Sequence, residues 1–218
     1  MIETPSGPVS ARYDGPRDAP CLVILAHGAG AGMDHPFMSR VAAGIAAKGI
    51  RVVRFNFPYR EAGRKAPDRA AVLESTFRAV VDEELPGHET VILGGKSMGG
   101  RIASHLVAQG TPAAGLLFLG YPLHPPGRPD RLRAAHLLEI TTPMLFVEGT
   151  RDPFCPLETL EDVRASIAAE TAVAVIEDGD HSFKVRKSSG RDTAAAWDEV
   201  VEVCSGWLDT VVPKELAR

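Results

Sequence analysis

Thr90-Val91-Ile92-Leu93-Gly94-Gly95-Lys96-Ser97-Met98-Gly99-Gly100-Arg101 is the stretch that best indicates the fold of this chain. It begins with an apolar run typical of a buried strand, and Ile102 and Leu106 carry a helical spacing after it. Between them, Gly95 to Gly99 match G-x-S-x-G in the strand–turn–helix context that exposes a serine hydroxyl. The stretch therefore predicts Ser97 as a nucleophile on a tight turn, with small neighbours that let strand and helix approach closely.

The same residues also invite a second interpretation, as the end of a phosphate-binding loop of the form G-x-x-x-x-G-K-[ST]. That motif requires glycine at position 90, where this chain has threonine. It also requires a loop where Val91-Ile92-Leu93 has the pattern of a strand. We therefore reject a P-loop nucleotidase.

Apolar runs alternate with segments of helical periodicity on both sides of this stretch. Such runs are typical of parallel strands covered on both faces, and the alternation is typical of a doubly wound α/β fold. We predict a mostly parallel sheet of six or seven strands with helices on both faces. The other predicted strands are Cys21–Ala26, Arg51–Phe57, Gly115–Leu119, Met144–Glu148 and Ala172–Ile176, and residues 9–13 could add an edge strand.

The chain shows no internal repeat, linker or low-complexity tract, so we expect residues 1–218 to form a single domain. The segment Gly120–Thr142 is rich in proline and predicts a loop with a short helix. Because this segment is too short for an independent lid, we expect an open cleft.

A glycine-rich loop follows the first strong strand, at His27-Gly28-Ala29-Gly30-Ala31-Gly32. Acyl transfer needs two backbone N–H donors for the developing oxyanion. One is expected from Met98, which follows the nucleophile, and the other from Ala29, with Gly30 as an alternative. A dinucleotide-binding turn is a poorer match, because G-x-G-x-x-G would need glycine at position 33, which is Met33.

Asp152 follows the fifth strong strand, and His181 follows the last one. A nucleophilic serine needs an imidazole to accept its proton, and the imidazole needs a carboxylate to fix its tautomer. The chain order Ser97, Asp152, His181 is that of α/β-hydrolases. Glu148 is a rival acid to which we prefer Asp152, and Cys155 is expected to be a small buried residue.

The chain resembles the α/β-hydrolase superfamily from about Cys21 to Leu208. It is most similar to the small cap-less branch near dienelactone hydrolase, in which related hydrolases carry a G-K-S-M-G-G-R elbow like Gly95 to Arg101. Dienelactone hydrolase itself has cysteine at the elbow, so the serine at position 97 removes the basis for a lactone substrate of that kind. The resemblance implies hydrolysis through a covalent acyl-enzyme, with no cofactor and no metal.

The composition narrows the classes of partner. The net charge of −4 gives no basic excess for nucleic acid, and no apolar stretch approaches the roughly 20 residues that span a bilayer. Three scattered cysteines and an N-terminus without signal-peptide features favour a cytoplasmic protein. The seven histidines show no convincing metal-ligand spacing.

Basic and polar residues on the loops after the strands suggest where substrate binds. We expect Tyr59, Arg60, Arg64 and His124 to contact it, and these cations could favour an anionic ester. The alternative is that they are solvated loop residues, some paired with Glu61 or Asp68. An open cleft predicts small or water-soluble esters rather than long-chain lipids. Further cations in such loops are Lys65, Lys96, Lys184, Arg186 and Lys187.

Two functions of different class follow from these patterns. The first is a serine hydrolase for a small carboxylic ester, thioester or lactone, with Ser97, Asp152 and His181 as its triad. The second is a non-catalytic binding or scaffold protein that retains the hydrolase fold. Amidase and perhydrolase activity and the oligomeric state stay open at this stage.

Overall fold

A computed structural model describes residues 1–213, and these build one seven-stranded sheet with the order β1-β3-β2-β4-β5-β6-β7. Only β1 is antiparallel to its neighbour, and the other six strands run parallel. The doubly wound sheet predicted from the sequence is therefore confirmed. The strands are β1 Ala11–Asp14, β2 Cys21–Ala26, β3 Arg51–Phe55, β4 Thr90–Lys96, β5 Gly115–Leu119, β6 Met144–Gly149 and β7 Thr171–Ile176.

Helices cover both faces of the sheet, because alternate strand residues bury their side chains on opposite sides. One apolar core lies between the sheet and α1 and α6, and the other lies between the sheet and α3, α4 and α5. The helices are α1 Pro36–Ala46, α2 Pro58–Glu61, α3 Ala70–Glu84, α4 Met98–Ala108, α5 Leu157–Arg164 and α6 Thr193–Val211.

Strand β3 is two residues shorter than predicted. It ends at Phe55 rather than Phe57, because the Phe57 N–H donates to His27 Nε2 at 3.1 Å and Pro58 then begins α2. This change does not disturb the order of elements.

The Gly120–Thr142 segment is a loop with a short 3₁₀ turn at Ala135–Glu139. Within residues 1–213 no segment forms a lid domain over the sheet, as the sequence predicted. None of the described helices combines the length and apolar character needed to cross a bilayer. The carboxyl ends of the parallel strands are thus where a cleft is expected.

Candidate active site

Ser97 sits on a sharp turn between β4 and α4, with φ of 51° and ψ of −115°. A non-glycine residue in this region stores backbone strain, which native structures concentrate at functional positions. Gly95 has φ of 154°, and an added Cβ there would lie 2.2 Å from Ala26 O. Gly99 is equally close to the same carbonyl, so both flanking glycines are required for the turn to pack against β2.

A continuous chain of hydrogen bonds links Ser97, His181 and Asp152. His181 Nε2 lies 2.8 Å from Ser97 Oγ, and His181 Nδ1 lies 2.6 Å from Asp152 Oδ2. The second carboxylate oxygen of Asp152 accepts the Phe154 N–H at 2.8 Å. The Asp152 side chain is fully buried, whereas that of His181 is 24% exposed. Nδ1 therefore carries the proton, and Nε2 is left to accept the serine hydroxyl proton.

The loop that carries His181 is held by two other aspartates. Asp178 accepts the backbone N–H of Arg186 at 2.7 Å, and its carboxylate forms ion pairs with the guanidinium groups of Arg151 and Arg186. Asp180 Oδ1 accepts the N–H groups of Ser182 and Lys184 at 2.7 and 2.9 Å. The two carboxylates thus fix the backbone on both sides of the imidazole without contacting its nitrogens.

The glycine-rich loop after β2 is held by the imidazole of His27. Because Nε2 accepts the Phe57 N–H, Nδ1 must donate, and it does so to Gly28 O at 2.9 Å. Burial lowers the pKa of His27 to about 4, which keeps this ring neutral. His27 is therefore a loop-stabilising hydrogen bonder, and the loop it holds places Ala29 beside the cavity that contains Ser97.

Glu148, the alternative acid, and Cys155, the neighbouring thiol, lie in other surroundings than the triad. Glu148 Oε1 accepts the Tyr121 N–H at 2.6 Å, and burial raises the pKa of this carboxyl well above its usual range. It makes no hydrogen bond to His181, whose Nδ1 is occupied by Asp152. Cys155 is fully buried, and burial raises the pKa of its thiol, which disfavours the thiolate.

The sequence matches the model of the alpha/beta hydrolase domain family over residues 19–209. The chain belongs to the α/β-hydrolase family. A serine hydrolase homologue from Coxiella burnetii has a similar structure, with 19% identity, a TM-score of 0.75 and 95% coverage of both chains. Dienelactone hydrolase from Anabaena variabilis is 18% identical, with a TM-score of 0.76, covering 97% of this chain and 96% of that one.

A serine hydrolase without lid from Xanthomonas campestris is also similar, at 21% identity and a TM-score of 0.70. The match covers 94% of this chain and 92% of that one. At these identities the likeness establishes the shared fold, including its cap-less form. The resemblance to the cap-less branch of α/β-hydrolases is thereby confirmed.

Ser97 and His181 of this α/β-hydrolase open into a cavity of about 550 Å³. Its walls are largely apolar, with Phe154 packed edge-on to the His181 ring at a centroid distance of 4.6 Å. Other apolar side chains come from both layers of helices, namely Phe37, Met38, Leu73 and Ile102. The arrangement places a serine hydroxyl beside an apolar space that can hold a small organic group.

The structure brings only one of the four predicted substrate contacts to this cavity. His124 lines it, but Tyr59 is fully buried beside His27 and Phe57. Arg60 lines a small separate cleft, and Arg64 pairs with Asp68 at 2.7 Å with half of its side chain exposed. These three were expected at the cavity because they follow β3, but α2 turns them away from it.

Three other basic residues line the cavity. Lys96 is among the loop cations that the sequence placed near the substrate, whereas Arg101 and Arg133 were not expected there. Arg101 lies one helical turn after Ser97, and its backbone N–H donates to Ser97 O at 3.1 Å. The i, i+4 spacing from Ser97 could therefore have indicated that Arg101 lies near the site. Arg133 comes from the long loop, where no spacing predicts it. Lys96 Nζ is buried under the site, 5.4 Å from the centre of the Phe183 ring.

No group of three or more histidine, cysteine, aspartate or glutamate side chains in the described part of the chain could hold a metal ion. The remaining histidines form hydrogen bonds outside the triad. His35 caps α1, His88 bonds to Ala19 O, and His105 pairs with Glu74. His136 bonds to Ser104 on α4.

Proposed function

We propose that this chain is a serine hydrolase that cleaves a small ester-type substrate through a covalent acyl-enzyme on Ser97. The substrate class comprises carboxylic esters, thioesters and lactones. The observation that carries the proposal is the unbroken Ser97–His181–Asp152 hydrogen-bond chain at the edge of an apolar cavity. Family membership supports hydrolysis as the reaction class.

The first half of the reaction forms the acyl-enzyme. Ser97 Oγ attacks the carbonyl carbon while its proton passes to His181 Nε2, and Asp152 stabilises the resulting imidazolium through Nδ1–H. Collapse of the tetrahedral intermediate breaks the bond to the leaving group, which takes the proton from His181. The alcohol or thiol departs, and the acyl group stays on Ser97.

Hydrolysis of the acyl-enzyme repeats these steps with water. His181 accepts a proton from water, whose oxygen attacks the acyl carbon, and the same proton then returns to Ser97 Oγ. The products are a carboxylic acid and the regenerated serine. The 24% exposure of His181 lets water reach the imidazole from the cavity.

The tetrahedral oxyanion needs donors that are oriented before it forms. Met98 is the first residue of α4, where N–H groups have no intrahelical acceptor and the helix dipole favours negative charge. The N–H of Ser97 itself is occupied by Leu119 O at 3.0 Å. We assign the oxyanion hole to the N–H groups of Met98 and Ala29, with Gly30 as the alternative.

Labelling with a fluorophosphonate probe tests the proposal directly. We expect the wild-type protein to be labelled at Ser97 and to hydrolyse p-nitrophenyl acetate, and Ser97→Ala to do neither. A folded wild-type protein that resists the probe and hydrolyses no ester, thioester or lactone would instead indicate a non-catalytic binding protein. The proposal also takes residues 1–218 as a single domain.

A further inference from the structure

The cavity has a second set of polar side chains in addition to the triad. Three basic residues line the same cavity as Ser97, and we call them the basic wall. They are Arg101 on α4, and His124 and Arg133 on the Gly120–Thr142 loop. A hydrogen bond holds the two ends of this part of the loop together, because the backbone N–H of Arg133 donates to Leu123 O at 2.7 Å. That bond brings Arg133 next to the residue that precedes His124.

The basic wall has buried polar atoms without hydrogen-bond partners. Arg101 Nε, a donor, and His124 Nε2 are buried and have no hydrogen-bond partner within residues 1–213. His124 is only 5% exposed, and its Nδ1 already donates to Pro125 O at 2.9 Å. Buried polar atoms in native proteins nearly always have partners, so each of these atoms calls for an explanation.

The charges of the basic wall are not neutralised by the protein either. No ion pair found among the described residues includes Arg101 or Arg133. Burial and the positive charge of Arg133 both lower the pKa of Arg101, although a guanidinium stays charged. Both guanidinium groups thus place positive charge at the same cavity, where like charges repel.

Two carboxylates lie near the basic wall, and both are engaged elsewhere. Glu74 accepts from His105 at 2.8 Å and from Gln109 at 3.0 Å. Asp68 lines the cavity but pairs with Arg64 at 2.7 Å. Positive charge thus exceeds negative charge at this part of the cavity, and the protein supplies no free acceptor for the Arg101 Nε donor there.

We infer that the basic wall binds an oxyanion, a carboxylate or a phosphate, carried by the same substrate whose acyl carbon reacts at Ser97. An oxyanion supplies acceptors for guanidinium donors in bidentate geometry and relieves the repulsion between the two arginines. The inference rests on the proposed function for the chemistry at Ser97.

The basic wall is close to the nucleophile. Arg101 is one helical turn from Ser97, which places their Cα atoms about 6 Å apart along α4, and both residues line the same cavity. A short substrate can therefore contact both of them. We choose a monoester of a five-carbon dicarboxylic acid as the probe, with its ester at Ser97 and its carboxylate at the basic wall.

Binding can be measured without turnover in the Ser97→Ala protein. Calorimetric titration with monomethyl glutarate and dimethyl glutarate compares an anion with its neutral match. We expect the monoester to bind about tenfold more tightly than the diester. When Arg101→Gln and Arg133→Gln are added to the Ser97→Ala protein, this preference should fall below about twofold. Arg131→Gln, on the exposed part of the same loop, is the matched control and should keep the preference.

A phosphonate ligand separates the two oxyanions. Methyl 4-phosphonobutanoate has the same chain length as monomethyl glutarate, so tighter binding of the phosphonate would identify phosphate as the natural group. Arg133→Gln alone changes an exposed side chain and serves if the double variant does not fold. Equal binding of the monoester and the diester by a folded protein overturns the inference, as does a preference that survives both Arg133→Gln and the double variant.

Turnover then separates this inference from the proposed function. In the wild-type protein we expect kcat/KM for mono-p-nitrophenyl glutarate to exceed that for p-nitrophenyl butyrate by about tenfold, and this ratio to collapse in Arg133→Gln. Hydrolysis of both esters without a preference refutes the oxyanion site and leaves the hydrolase. Selective binding of the monoester without hydrolysis supports the site and refutes the hydrolase.

Discussion

On the triad side of the cavity, Ser97, His181 and Asp152 bond to one another, whereas Arg101 and His124 on the basic wall leave buried polar atoms without hydrogen-bond partners. The difference fits two separate tasks. Groups that transfer protons must be oriented before substrate arrives, so the protein supplies their partners. Groups that recognise substrate must keep their donors for it. Each prediction below separates these two roles or tests one of them.

The largest effect is expected from the nucleophile. Ser97→Ala should lower kcat by about 10⁶-fold and His181→Ala by at least about 10⁴-fold, because members of a triad act as a unit. Esterase rates with p-nitrophenyl acetate measure this. Ser166→Ala, an exposed serine outside the cavity, should keep the wild-type rate and melting temperature. Wild-type turnover in Ser97→Ala would remove the nucleophile assignment.

The next largest effect distinguishes the two candidate acids. Asp152→Asn should reduce kcat by about 10⁴-fold, because an amide presents the wrong partner to His181 Nδ1–H. Glu148→Gln should reduce it by less than about tenfold, since glutamine keeps an acceptor for the Tyr121 N–H. Both variants are compared by kcat at pH 7. If Glu148→Gln proves the more damaging change, the acid has been misassigned.

Lys96 is an exception on the triad side, because its fully buried Nζ has no hydrogen-bond partner in the described part of the chain. Burial lowers the pKa of Lys96 to about 8, against an ordinary value of 10.5. The folded protein therefore binds this proton less well than the unfolded chain does. The resulting destabilisation is complete below pH 8 and is relieved between pH 8 and 10.5.

Lys96→Met should thus raise the free energy of unfolding at pH 7 by about 3 kcal/mol, and the gain should vanish near pH 10.5. Urea unfolding at pH 7, 9 and 10.5 provides the measurement. Lys48→Met, which alters a half-exposed lysine beside Asp209, should change stability by less than about 0.5 kcal/mol at each pH. A gain that is independent of pH would show that packing, not charge, is responsible.

The sequence was most informative where function requires rare backbone geometry or a fixed chain order. G-x-S-x-G after a strand predicted the Ser97 turn, because only glycine fits against Ala26 O at positions 95 and 99. Apolar runs predicted every parallel strand, because both faces of the central strands are buried and even the edge strand β7 is largely apolar. Asp152 and His181 were predicted from their places after strands, a rule that reflects where parallel strands end, and the structure brings both into one hydrogen-bond chain with Ser97.

Residues whose position depends on a loop path could not be found in this way. Tyr59 and Arg64 follow β3 as Asp152 follows β6, but Pro58 begins a helix that buries the first and turns the second outward. Arg133 reaches the cavity only because the long loop folds back onto Leu123. No periodicity encodes such a return, since it depends on tertiary hydrogen bonds rather than local spacing.

The smallest effect is expected from the arginines that the sequence singled out. Arg64 neutralises Asp68, which lines the cavity, so Arg64→Ala should leave a carboxylate unpaired there and reduce the preference for a carboxylate-bearing ester by about two- to threefold. Salt at about 0.5 M should largely remove the change, because the Arg64 side chain is half exposed and its charge is easily screened. Arg60→Ala, which alters only the separate cleft, should have less effect still. The measurement is the kcat/KM ratio for mono-p-nitrophenyl glutarate over p-nitrophenyl butyrate. A loss as large as that of Arg133→Gln, persisting in salt, would place Arg64 in direct contact with the substrate anion and contradict the distinction between the basic wall and the surrounding loops.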